Sequence, residues 1–339
     1  MMKIKHVEIR NLRGIDHLEL DLTGPDNQPL DLVMLAGPNG CGKTTVLEAC
    51  LWAIKQEKRL PLRPVPSGQQ YEIILTLRVE DEDVRIVRNP QKTRVYHWHD
   101  DGWHSGILGK SDPLRAVSTF YFSSWRAPTL VGSVGLTLGP GRRPAETERN
   151  SLWRLKQYLV NLKGASSFKA AKQDIREPFE KLNQVWKNFY PERNGRFEAA
   201  VYPDEPPAGD RKPKDGPAQD ASLAFDLFYF DEKHPQGIPV DDLSSGEIEI
   251  LSMAGSFMLN KQGYDIVFVD EPELHLHPAW HRSIMRALRL LAPNSQLICA
   301  THSEEIMESV YSYERFTILE EDDPRVRLFM PPDENGAAS

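Results

Sequence analysis

Cysteine is scarce: Cys41, Cys50 and Cys299 are the only three among 339 residues. They are too few and too scattered for a disulfide framework or a cysteine-based zinc site, and a reducing cytoplasm is the expected setting. No apolar run approaches the ~20 residues needed to cross a bilayer, so no membrane role is expected. The opening MMKIKHVEIRNLRG is basic but has no apolar core or small-residue cleavage site, so a secretion signal is not expected. Basic residues are outnumbered, 41 against 49 acidic ones, and the pI is about 5.7. That balance argues against a protein coated in nucleic acid. It leaves room for a local basic groove, because phosphate binding depends on where the charges lie. No internal repeat is visible, and no apolar heptad pattern is long enough for an extended coiled coil. The seven tryptophans are not interleaved with basic residues as a single-strand stacking platform would be.

What remains is an ordinary globular composition, 40% hydrophobic and 27% charged, long enough for a substantial core plus an inserted lobe. Val7 and Ile9 alternate with Glu8 and Arg10, and Leu18, Leu20 and Leu22 with Glu19 and Asp21. With Asn11–Gly14 as the turn, this predicts an antiparallel pair. Leu32–Ala36 is a continuous apolar run of the kind a buried parallel strand shows. A helix is predicted from Thr44 to about Lys58, stopped by Pro61, Pro64 and Pro66. Residues 71–122 are strand-rich, with a hairpin turn placed at Asp101-Gly102. Helical spacing covers residues 147–190, broken at Gly164 and Pro178, and residues 203–220 are a Pro/Gly/charge-rich loop. Further strands follow at 223–230, 266–270, 297–301 and 316–320.

Three of these strands end in residues that carry chemistry. The strand at 32–36 runs into Gly37-Pro38-Asn39-Gly40-Cys41-Gly42-Lys43-Thr44, which fits G-x-x-x-x-G-K-[ST]. Glycines let backbone N–H groups converge on phosphate oxygens, and the following helix aims its positive end at them. Lys43 reaches the β/γ-phosphates, and the Thr44 hydroxyl can ligate magnesium. The strand–loop–helix context supports nucleotide binding. Ile266–Asp270 ends in Asp270-Glu271. Asp270 stands where such a fold needs a group to hold magnesium, and Glu271 can accept a proton from an attacking water. Leu297–Thr301 runs into His302, where an imidazole can contact a terminal phosphate.

Leu243-Ser-Ser-Gly-Glu247, followed by a helical stretch to Leu259, is by itself a plain helix N-cap with an acid in its first turn. In order, however, the chain reads GPNGCGKTT, LSSGE, VFVDEPELHLHP, ATHS. This succession resembles the ABC-type ATPase heads of the RecF, SMC and overcoming-lysogenization-defect group. It is most similar to the small AAA-like ATPases found beside partner genes in antiphage systems of the retron and Septu type. The opening KIKHVEIRNLRGI resembles the group's N-terminal strand and turn, and the likeness covers roughly residues 1–60 and 223–320.

The resemblance implies an α/β P-loop NTPase of ABC-type head. Its architecture would be a mixed central sheet, an antiparallel β subdomain and a helical insertion. The expected division is residues 1–145, an insertion at 146–221, a second ATPase lobe at 222–330, and a tail at 331–339. It implies a homodimer, with a higher oligomer left open, that sandwiches ATP and magnesium. One copy would present Gly37–Thr45, including Thr45, with Asp270, Glu271 and His302, while the other closes the site with Ser245, Gly246 and Glu247. Residues 273–278 would be the loop that communicates across the interface. LSSGE differs from the LSGGQ of transporters, and no DEPTSALD-like sequence follows the acidic strand, so a transporter subunit is not expected.

The group's magnesium-binding glutamine has no clear counterpart, and Ser123, Ser124 and Arg126 are the candidate substitutes. A zinc-hook cysteine pair is missing. The chain ends soon after Met330, so no TOPRIM nuclease is expected within it, and any effector nuclease or toxin is expected to be a separate protein.

Weaker signals have blander readings. His97, His99 and His104 straddle a hairpin turn, where alternate polar residues face water. His275, His277 and His281 suggest a zinc site, but the resemblance accounts for the first two without a metal. Arg142, Arg143, Arg149, Lys156 and Lys163 form either a solvated face or a contact for nucleic acid or an acidic partner. Two functional alternatives stand beside an ATPase controlling an effector: a RecF-like DNA-repair protein and a scaffold that binds ATP without turning it over.

Overall fold

A computed structural model describes residues 2–55, 68–106, 117–124, 134–135, 151–166, 176–201, 224–260 and 262–319. The expected loop at 203–220, Arg126, Arg142, Arg143, Arg149 and the tail lie outside them. The chain begins with strands β1 (Met2–Leu12), β2 (Ile15–Asp21) and β3 (Leu32–Ala36), then helix α1 (Lys43–Lys55). Strands β4 (Glu72–Val79), β5 (Glu82–Arg88), β6 (Thr93–His99), β7 (Gly102–Gly106) and β8 (Thr119–Phe122) come next. After them lie β9 (Val134–Gly135), α2 (Ser151–Ser166), α3 (Arg176–Phe189), β10 (Arg196–Val201), β11 (Ala224–Phe230), β12 (Ile238–Pro239) and α4 (Ser245–Met258). The last elements are β13 (Ile266–Asp270), α5 (His281–Leu291), β14 (Gln296–Thr301), α6 (Glu304–Glu308) and β15 (Arg315–Thr317).

The chain divides into two compact units, one of residues 1–124, 263–274 and 294–339, the other of residues 125–262 and 275–293. In the first, β2-β1-β4-β5-β6-β7 form an antiparallel sheet and β15-β3-β14-β13-β8 a parallel one. The parallel strands owe their place to composition. β13 (IVFVD) and β14 (QLICAT) are buried at every residue, which suits strands covered on both faces. Helix α1 is apolar nearly all round, burying Val46, Leu47, Ala49, Cys50, Trp52, Ala53 and Ile54, and it touches strands of both sheets. Gln296, fully buried, ties the layers together. It accepts from the Ile4 N–H (2.7 Å) and donates to the carbonyls of Ile4 (2.8 Å) and Leu30 (2.9 Å).

The antiparallel pair β1–β2 forms as its alternation predicts. The hairpin turn is displaced by one residue. Asp100 and Asp101 are its two central residues, at φ 48° and 58°, and Gly102 already pairs with His99. Acidic residues tolerate the left-handed conformation that such a turn requires, so the glycine is not needed inside it.

The second unit contains α2–α5 and the small sheet β10-β11-β12, with β9 also paired to β11. Its centre is aromatic: the Trp186 ring lies 4.7–5.1 Å from those of Tyr190, Phe197 and Tyr229. The helical region is divided into α2 and α3, but not at Gly164 and Pro178 themselves. Helix α2 continues through Gly164 to Ser166, and Pro178 sits in the first turn of α3. There the missing N–H has no partner to lose, and one glycine within an otherwise packed helix costs only about 1 kcal/mol.

Candidate functional site

The topology of the parallel sheet assembles the site. β3 pairs with β14 and β14 with β13, with Ala36 opposite Thr301 and Ala300 opposite Asp270. All run in one direction, so the loop at Gly37, His302 and Asp270-Glu271 leave neighbouring strands at the same edge. This is where open α/β sheets bind ligands. On the far side of β13, Phe122 of β8 pairs with Val269, which carries Ser123 to the same edge. Ser123 is buried there.

Local chemistry shapes the loop. A side chain on Gly37 would meet the Ile318 carbonyl at 2.3 Å and Cys41 Sγ at 2.7 Å, so only glycine fits. Gly42 takes φ +97°, and a Cβ there would press on Ile15 at 3.0 Å. Lys43 is almost buried, and its Nζ donates to the carbonyls of Gly37 and Pro38, both at 2.9 Å. The ammonium thus lies within the loop it serves. Thr44 Oγ1 lies 3.1 and 3.0 Å from the two carboxylate oxygens of Asp270, whose side chain is buried. Residues 226 positions apart therefore supply the hard oxygen donors that magnesium prefers.

Glu271 follows at φ 51°, a left-handed conformation that costs a non-glycine residue roughly 1–2 kcal/mol. Its N–H donates to the Ala300 carbonyl (2.8 Å), and its carbonyl accepts from the Leu274 N–H (2.9 Å). The turn re-aims the chain where β13 ends. His302 keeps half its side chain exposed, with Nδ1 3.3 Å from Glu273 Oε1.

The second predicted cluster lies in the other unit. Ser244, not Ser245, caps α4, and the capping box is reciprocal. The Ser244 Oγ and N–H donate to Glu247 Oε2 at 2.8 and 2.9 Å, while Glu247 N–H donates back to Ser244 Oγ (3.4 Å). Glu247 Oε1 accepts from Arg193 (2.9 Å), whose guanidinium lies 4.0 Å over the Tyr190 ring. Burial would raise the Glu247 pKa, but hydrogen bonds from Ser244, Tyr190 and Arg193 hold it below the usual carboxylate range. Burial, then the Glu247 carboxylate, pushes the Tyr190 phenol upward. Gly246 packs closely: a Cβ would meet the His275 carbonyl at 3.0 Å and the Trp280 ring at 3.1 Å.

Beneath this helix start lies a group that motif reading missed. Lys156 is fully buried on α2, with Nζ 2.7 Å from Asp226 of β11 and 2.5 Å from Asp241 in the single turn before LSSGE. A lone lysine on a predicted helix gives no sign of its partners, because they lie 70 and 85 residues away. The histidines have local roles as well. His99 and His104 rings stack at 4.0 Å, and His277 Nδ1 accepts from the Ala279 N–H.

A phosphate loop, an acidic strand end and a strand-end histidine on adjacent parallel strands define a P-loop NTPase of the ABC-type head class. A family profile described as "AAA domain, putative AbiEii toxin, Type IV TA system" matches residues 136–308, half of the chain, and the chain belongs to this family. A second profile, "AAA ATPase domain", matches residues 2–99. Similar proteins include the Retron Vc95 probable ATPase of Vibrio cholerae serotype O1 biovar El Tor. It is 34% identical over 110 residues, which cover 29% of this chain and 21% of that protein. The Septu protein PtuA of Bacillus mycoides (strain KBAB4) is 22% identical over 338 residues, covering 94% of this chain and 41% of that one. The chain thus spans less than half the length of these two relatives. A solved SMC head bound to the C-winged helix domain of ScpA aligns at 12% identity and TM-score 0.49, covering 91% of this chain and 92% of that one. No helix among the described residues is long and apolar enough to cross a membrane.

Proposed function

We propose that this chain binds and hydrolyses ATP with magnesium, and that two copies do so together to control a separate effector in antiphage defence. The contact between Thr44 and Asp270 carries the reading, because it joins loop and acidic strand in one oxygen-rich site. These two side chains would hold magnesium, which when bound neutralises charge on the β- and γ-phosphoryl oxygens. Lys43 exchanges its loop carbonyls for phosphate oxygens, and the loop N–H groups bind the rest. Glu271 takes the proton from the attacking water, and His302 contacts the terminal phosphoryl group.

In a two-fold dimer, the α4 N-terminus of the second copy covers the exposed side of that group with Ser245 and its helix dipole. Glu247 serves by building this helix start, since its carboxylate is committed to Ser244 and Arg193. The defence role rests on similarity to retron and Septu proteins. Replacing Glu271 by Gln should leave ATP binding intact and lower single-turnover hydrolysis about 10²- to 10⁴-fold. Hydrolysis at the wild-type rate in that variant would overturn the mechanism.

A further inference from the structure

One buried acid beside the site has no part in the chemistry above. Glu273 stands two residues beyond Glu271, with its side chain only 5% exposed. Its Oε1 accepts from the Thr301 hydroxyl (2.8 Å) and from the backbone N–H of His302 (3.0 Å). The imidazole Nδ1 of His302 is 3.3 Å from the same oxygen, and Oε2 has no hydrogen-bond partner among the described residues. Adjacent parallel strands explain the meeting. β13 and β14 end side by side, and the turn after Glu271 folds Glu273 back over the exit of β14. A buried carboxylate is costly to keep unless it is put to use, and here its bonds all converge on one residue and the strand end before it.

We infer that Glu273 is the positioning residue of His302. The Glu273 carboxylate, 3.3 Å from Nδ1, favours the tautomer with the proton on that nitrogen and restrains the ring. Nε2, the other ring nitrogen, is thereby turned to the terminal phosphoryl group. A histidine held on one ring nitrogen presents the other in a defined orientation, as carboxylates do for metal-bound and catalytic imidazoles. The inference rests on the ATPase reading for what Nε2 faces, but the tautomer is a property of the protein alone.

Two measurements on the full chain test it. In ¹⁵N-histidine spectra recorded well above the ordinary imidazole pKa, the His302 signal, assigned by its loss in His302→Ala, should report the Nδ1–H tautomer. An Nε2–H tautomer in the wild type overturns the inference, whether or not the protein hydrolyses ATP and whether or not any Glu273 variant folds. Second, Glu273→Ala should lower kcat about 10- to 100-fold with little change in KM for ATP. Glu273→Gln, which keeps an acceptor oxygen, should recover most of that loss. In a His302→Ala background the Glu273→Ala effect should vanish. Fully additive losses would mean that Glu273 only braces the strand end, and the inference would fall.

Discussion

At the scale of single residues, the site depends on groups held where they would not otherwise rest. Lys43 is folded onto its own loop carbonyls, Glu271 sits in a left-handed turn, and Glu247 keeps its charge although buried. Glu247 carries a pH signature. Its folded-state pKa lies below the ordinary 4.5, so the folded state prefers the ionised carboxylate. The stabilisation is fully present above the ordinary value and is lost as pH falls through the lowered one. Amide protection at the first turn of α4, taken relative to the intrinsic exchange rate at each pH, should therefore fall on acidification below about pH 4.5 in the wild type. Glu247→Gln should show a smaller change over the same range, because it lacks the titrating group. Equal acid sensitivity in the two proteins would remove Glu247 as the cause.

At the scale of elements, helix α4 matters more than its short motif suggests. Its N-terminus is shaped by the capping box, by Arg193 from the segment after α3, and by Trp280 against Gly246. Deeper, Lys156 of α2 binds Asp226 of β11 and Asp241 of the turn that leads into α4. Burial raises the Asp226 pKa even against its bond to Lys156. Removing Lys156 takes away the cation that the fully buried Asp226 contacts. Lys156→Met should destabilise the protein by about 3–5 kcal/mol in urea unfolding followed in this unit, the cost of an uncompensated buried charge. A loss below about 1 kcal/mol would place the trio among surface-like pairs. In the sequence these residues looked different. Lys156 was grouped with Arg142, Arg143, Arg149 and Lys163 as either a solvated basic face or a contact for nucleic acid or an acidic partner. It belongs to neither, because α2 turns it inward, and a sequence pattern records helical spacing but not which charged residue finds carboxylates across the fold.

At the scale of the whole molecule, the Gly37–Thr44 loop and helix α4 belong to different compact units of one chain. If each active site takes its loop from one copy and its signature from another, defects in the two must complement. Lys43→Ala and Gly246→Asp proteins, each inactive alone, should recover about a quarter to a half of wild-type ATPase when mixed, because each mixed dimer has one intact site. ATP should also raise the dimer fraction in analytical ultracentrifugation. Absence of rescue, with both variants folded, would count against the sandwich.

The Gly37–Thr44 loop, the acidic strand end and His302 stood out in the sequence alone as candidates. Each is a short contiguous motif at the end of an apolar run, and backbone geometry makes such motifs local. The antiparallel opening pair was legible for the same reason, through its period of two. The tertiary structure decided the order of strands, which puts β14 between β3 and β13 and brings Thr44 onto Asp270. It also decided the partners of buried charges: Glu273 with Thr301 and His302, Glu247 with Arg193, and Lys156 with Asp226 and Asp241. These pairings join residues 28 to 85 positions apart. Desolvation forces each buried charge to find a partner, but only the packed chain determines which one is within reach.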